Sequence, residues 1–458
     1  MSSTRAKKHR PKSTPVISFD RTLIQMGHLM RRAAFGATPD QILQAATTGI
    51  ASTVDALVNY DQTPDSFTPP DQVYLDQKHG RIDMLAAWWL GRMLTGSRPL
   101  QEKMTLFWHG HFATGANKVN YPGLMYDQNQ LFRQNALGTF DDILDAVTKD
   151  PAMLIWLDGQ RNTKFAPNEN YGREVMEIFT LGRVTTVGEP NYTEDDVHGM
   201  ARAFTGWHLD PTGQAIFTDR LHDDGIKTIL GQTGNWNADD AVRILANHPA
   251  TGPWLASRLW KFFASNIPND AVIAQLGQIY YSSNHSIGAM VRALFTMPEF
   301  YSADAQQNHV KSPTEFVVTT LKQLALTDVD TTSLPRYLLM MGQELFNPPN
   351  VGGWEGGANW VNASTMLTRF NFASRLTGNA PGSKSALDGQ ALVTASEADR
   401  TDQLLAYITH VLGVLPSATT HMALQAYIGS GQIDSVDAVT KVLGLVHLTL
   451  VSPEYQIA

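Results

Sequence analysis

Apolar residues recur at helical spacing in nearly every segment of the chain, and this restricts the fold more than any other feature. Thr22 to Ala34 places Leu23, Met26, Leu29 and Met30 on one face; Arg81 to Leu94 does the same with Met84, Leu85, Trp88, Trp89 and Met93. Thr251 to Ala264 carries Trp254, Leu255, Leu259, Trp260, Phe262 and Phe263, leaving Arg258 and Lys261 for the remaining face. Start signals agree: Thr38-Pro39 with Gln41 reads as a capped helix start, and Thr193 with Asp196 as another. Strand-like runs are too few for a sheet core, so the expected fold is all-α, a large multi-helix assembly with at most one small β-hairpin near residues 215–231. Ala215 to Thr218 would be its first strand and Ile226 to Gly231 its second.

A chain of 458 residues with a hydrophobic fraction of 43% can fill a sizeable core. The expected division is a basic disordered tail at 1–18, a main helical domain at 19–377, a Gly/Pro/Ser-rich linker at 378–395 and C-terminal helices packed on the main domain at 396–458. Arg5, Lys7, Lys8, Arg10 and Lys12 sit in an acid-free start, so the net charge of −8 becomes −13 for the rest. An acidic body is a poor match for nucleic-acid phosphates, and no nucleic-acid partner is expected. The absence of cysteine excludes disulfides, thiolate metal sites and cysteine nucleophiles. With no apolar run of membrane-spanning length and no apolar signal segment after the tail, the expected location is cytoplasmic; it becomes extracytoplasmic if the start is trimmed.

Chemistry-bearing residues are densest between Asp158 and Trp207. Asp158, Gln160, Asn162 and Glu169 fall on positions 1, 3, 5 and 12 of a calcium-loop template, but Thr163 replaces the glycine of position 6. Asp158, Asn162 and Glu169 are therefore candidates for a calcium-like loop; the same polar residues also serve to tie a long loop down through its backbone. Downstream, Glu174 and Glu177 lie at i, i+3 on one helix face with Arg173 beside them. That spacing suits two carboxylates in acid–base work or on a metal, and equally a solvated face laced with ion pairs.

Other candidates lie far away in sequence. His109 and His111 in FWHGHF, and His222 and Asp223 in HDDG, are metal-ligand types at turns or helix ends; each is also an ordinary turn-fastening residue. The loop NPPNVGGW, with Asn350 and Trp354 and with Asn359, Trp360 and Asn362 following, could line a pocket for a sugar through stacking and amide hydrogen bonds, or form a rigid corner. Trp207 joins Trp354 and Asn350 as a candidate substrate-binding residue.

The run NENYGREVMEIFTLG, with YTEDDV and ARAFTGW after it, resembles the bacterial DUF1800 family, a domain of unknown function. HLMRRAAFGAT, MTLFWHGHFAT, HDDGIKTILG, HPATGPWLASRLWKFF, FNPPNVGGW and SPEY extend the resemblance from about Phe19 to Ala458. The family has no established biochemical activity, so the resemblance assigns no catalytic residue. Members of the family often carry export signals, and this chain departs from them in showing none.

Two function classes remain. One is a metal-dependent, hydrolase-like enzyme in which some of His109, His111, Glu174, Glu177, His222 and Asp223 converge on a divalent cation, with a glutamate as base. The other is a non-catalytic protein that holds a small molecule, a carbohydrate, a peptide or a protein partner. They differ in whether those side chains meet in one cleft.

Overall fold

Helix caps lay out the architecture. Thr38 and Gln41 exchange hydrogen bonds at the start of helix Pro39–Thr48, as Thr193 and Asp196 do before Glu194–Ala203 and Ser312 and Glu315 do before Pro313–Gln323. Each box satisfies N–H groups that the helix itself leaves free. The computed structural model describes residues 21–458 except 77–79, 186–187, 307, 380–383 and 434–436. The basic stretch 1–18 and part of the expected linker thus lie outside the described residues.

Among the described residues there are 24 α-helices and four strands of three residues each, so the fold is all-α with a small β element. Two of the strands fall within the expected 215–231, the other two flank it, and the pairing differs. Strand β1 (Trp207–Leu209) pairs antiparallel with β2 (Ala215–Phe217), and β3 (Lys227–Ile229) with β4 (Gln232–Gly234). Two short hairpins replace the single long one, because each closes on its nearest neighbour through a turn of its own. Asp210 fastens the first, its carboxylate accepting from the backbone N–H of Thr212 and Gln214. No helix among the described residues is long and apolar enough to cross a membrane.

The apolar interior forms two clusters. One gathers Met26, Phe112, Phe140, Leu259 and Phe295; the other gathers Trp89, Phe316, Phe372, Leu404 and Tyr455. Phe262 packs against both. Buried ion networks pin the interior. Glu102, 1% exposed, accepts from Arg133, Arg92 and the Trp89 indole. Lys103, fully buried, donates to Glu315 at 2.5 Å. Removing one member of such a group would strand a buried charge, so they define the packing even where they add little net stability.

Candidate ligand-binding cleft

The segment richest in polar motifs spends its polar atoms on itself. Asp158 adopts a left-handed backbone (φ 59°), and its carboxylate accepts from Lys118 at 2.9 Å. Asn162, 3% exposed, donates to the carbonyl of Ala201 and accepts from the backbone N–H of Asn168. Glu169 pairs with Arg173 at 3.3 Å and lies 3.5 Å from His198. The three residues of the calcium-like pattern thus have separate partners.

Helix Glu169–Glu174 then widens into a π turn, Val175–Thr180. Such turns leave carbonyls out of register, and here they are collected by side chains within the turn and from elsewhere. The Trp254 indole donates to Ile178 O (2.8 Å), and the Thr180 hydroxyl donates to Val175 O (2.6 Å). Arg173 reaches Glu194 at 2.7 Å, whereas Glu177 accepts from the Tyr192 hydroxyl at 2.6 Å and pairs with Arg183. Among the described residues Glu174 makes no such bond, and burial, followed by the nearby Glu177 charge, raises its carboxyl above the ordinary range.

His109 and His111 occupy the last turn of helix Pro99–His111 and point apart, as an i, i+2 pair must. His109 Nε2 accepts from the backbone N–H of Phe346 at 3.0 Å; its ring is walled by Trp89, Phe346 and Trp354. His111 Nε2 donates to Phe179 O at 2.9 Å, taking another carbonyl of the π turn. That bond fixes the tautomer, so Nδ1 carries a lone pair, and it has no partner among the described residues. Burial lowers both histidines to about 3, helped for His111 by the charge of Arg258, and both are neutral at ordinary pH.

His222 and Asp223 lie elsewhere. His222 Nδ1 is 2.9 Å from Thr205 O, and Asp223 grips Arg202 with both oxygens at 2.7 and 3.0 Å. That guanidinium holds the Asp223 carboxyl down at about 2. Among the described residues no three His, Asp or Glu side chains gather in a way that would hold a metal ion. The convergence expected of a metal-dependent enzyme is therefore not formed by these residues. Trp207, in β1, packs on Phe217 beneath Lys149, apart from the other aromatic candidates.

What does converge is a cleft of about 120 Å³ between the end of helix Pro99–His111, helix Thr251–Phe263, residues 309–315 and the loop 354–360. Phe107, Phe262, Trp354 and Trp360 supply aromatic surface; His111, Arg258, Lys261, His309, Glu315 and Gln343 supply polar groups. The loop reaches the cleft because Gly353 (φ +74°) lies against the backbone at Gly110, where a Cβ would stand 2.4 Å from the Gly110 carbonyl. Asn350 shapes that turn, its carboxamide accepting from the Gly352 N–H, and is itself exposed. Asn359 bonds Glu355, and Asn362 caps the next helix, so both amides are structural.

Glu315 anchors one wall. It accepts from Lys103, from His309 Nε2 at 3.0 and 3.2 Å, and from the Ser312 N–H at 2.8 Å. His309 is thereby held with Nε2 as donor and, like His111, keeps an Nδ1 that has no partner among the described residues. Burial lowers His309 below its ordinary value despite the Glu315 charge; at Glu315 burial pushes the carboxyl up, but Lys103 and His309 together overcome it and hold the carboxyl well below its usual range. Of the residues read as candidates from sequence, only His111 and Trp354, with Trp360, line this cleft. Arg258, His309 and Glu315 were not legible as partners; the one available signal was a cation within the aromatic helix pattern at Thr251–Ala264.

No curated protein and no solved structure matches the chain. Residues 28–457 match the family described as protein of unknown function (DUF1800), and the chain belongs to that family.

Proposed function

We propose that this protein binds a small molecule with a ring or other flat face in the cleft between His111, Arg258, His309 and Trp354. The observation that supports the reading is the pairing of aromatic walls with polar atoms the fold leaves unused. Among the described residues the buried His111 Nδ1 and His309 Nδ1 have no partner, and the indole N–H groups of Trp354 and Trp360 meet no protein acceptor. Buried polar atoms are ordinarily satisfied, so a built site with several left open fits a ligand or ordered solvent that completes them. The metal-dependent hydrolase has less behind it, because His222 and Asp223 are bound into another loop and Glu177 to Tyr192 and Arg183.

Ligand screening against the full chain, read by tryptophan fluorescence and calorimetry, tests this reading. Ring-bearing ligands should bind the wild type and lose about tenfold in affinity in Trp354→Leu and in His111→Leu, given that a stacked ring or a buried hydrogen bond is worth about 1–2 kcal/mol. Ligands whose affinity is the same in both variants, with folding intact, would place binding elsewhere and sink the cleft reading.

A further inference from the structure

The charges around the cleft do not balance. Arg258 lines it, half-buried, and among the described residues makes neither a hydrogen bond nor an ion pair; its guanidinium only lies over the Trp254 ring at 5.9 Å. Lys261, one turn on, donates to the backbone carbonyl of Glu355 at 3.1 Å and, among the described residues, forms no ion pair, although the Glu355 charge acts on it. Two carboxylates line the same space. Glu315 already holds Lys103, His309 and the Ser312 N–H, and Glu355 accepts from Asn359 at 2.6 Å. Burial lowers Arg258, the expected cost of a guanidinium drawn partly out of water without a counter-ion, while the exposed Lys261 is lowered by partial desolvation and by the Arg258 charge against the opposing charge of Glu355.

Uncommitted hydrogen-bonding groups point the same way. Gln343, 4% exposed, uses its carbonyl oxygen for Thr314, while its amide nitrogen has no acceptor among the described residues. With the two indole N–H groups, the Arg258 fork and Lys261, the lining is rich in donors. A planar guanidinium matches a carboxylate through two parallel N–H bonds. The Asn266 carboxamide oxygen, whose own nitrogen donates to Asn308 O, is an acceptor in the lining without a donor among the described residues. It calls for a ligand hydroxyl or N–H group.

We propose that the ligand is a small ring-bearing carboxylate with hydroxyl substituents, in the manner of a sugar acid, its carboxylate paired with Arg258 and its ring against Trp354. This rests on the cleft reading and adds the ligand's charge and chemical class to it. The volume of about 120 Å³ suits a single substituted ring.

The test compares acids with their neutral counterparts: glucuronate against glucose and benzoate against benzyl alcohol, titrated into the full chain by calorimetry. In the wild type each acid should bind about tenfold or more tighter than its partner, since a charge-assisted pair of this kind is worth about 1.5–3 kcal/mol. Arg258→Met should abolish that preference by weakening the acids about tenfold more than the neutral probes, and Arg258→Lys should keep part of it. Thermal melts confirm folding, and raised salt should weaken the acids alone in the wild type, a readout independent of any variant. Equal binding of acid and neutral ring, still sensitive to Trp354→Leu, would overturn the anion inference and leave the cleft reading standing. Binding of none of the four probes, or binding indifferent to both Trp354 and Arg258, would overturn both.

Discussion

The stretch from Asp158 to Asp223 and the cleft around Arg258 have similar residue types and opposite states of satisfaction. In the first, Asp158, Asn162, Glu169, Glu177, His222 and Asp223 each meet a protein partner within 3.5 Å. In the second, among the described residues, Arg258 meets none, and the Nδ1 atoms of His111 and His309 are left over. Density of functional residue types along the sequence therefore marks where the backbone needs fastening: a long loop, a π turn and two hairpins have many orphan N–H and C=O groups to satisfy. A site for a ligand is recognised instead by what remains unspent after the fold has taken its share.

The largest effect that sharpens this contrast is at the cleft's own floor. Glu315→Gln keeps the size of the side chain but leaves Lys103, fully buried, without its counter-charge. The expected loss is about 3–5 kcal/mol in chemical denaturation, as for other buried pairs broken on one side. Because Lys103 and His309 hold the Glu315 carboxyl far below its usual value, its contribution is present above about pH 4.5 and is lost as pH falls through the folded value. The deficit of the variant should accordingly shrink on acidification. An unchanged denaturation midpoint at neutral pH would show that Glu315 is not the anchor described.

Asn162 is the matching probe in the other region. Asn162→Ala removes a donor to Ala201 O and an acceptor for the Asn168 N–H, both inside the protein, at an expected cost of about 1–3 kcal/mol. Ligand affinity in the variant that still folds should be that of the wild type. A loss of binding with little loss of stability would break the comparison, since it would make the polar loop part of the site.

The helices and the small β content were legible because periodicity and caps act locally: Thr193 with Asp196 and Ser312 with Glu315 behave as their spacing implies. The hairpin pairing was not, since Ala215 to Phe217 alternates equally well against either neighbour and only the turn at Asp210 decides. At the site, His111 and Trp354 stood out by residue type, yet nothing local joins them to His309 or Arg258. Those pairings span up to 198 residues of chain and exist only once the two apolar clusters meet at Phe262. His222 and Asp223 had the right chemistry for a metal and the wrong neighbours: Thr205 and Arg202 reach them from the preceding helix end.

The smallest effect distinguishes fastening from chemistry most directly. Asp223 lies 2.7 Å from Arg202 in a pair that solvent partly reaches, so Asp223→Asn should cost only about 1 kcal/mol at neutral pH. Its folded value is depressed to about 2, against 3.8 ordinarily. The stabilisation is therefore complete above about pH 4 and disappears as pH falls toward 2, where wild type and variant should melt together. A residue that only fastens the turn predicts this convergence and no effect on ligand or metal affinity at any pH. A residue that coordinates a cation predicts the reverse: a melting temperature of the wild type that rises with added divalent ion and of the variant that does not. The Arg202 guanidinium, bonded to both carboxylate oxygens, favours the first outcome, because a cation entering there would have to displace a charge already in place.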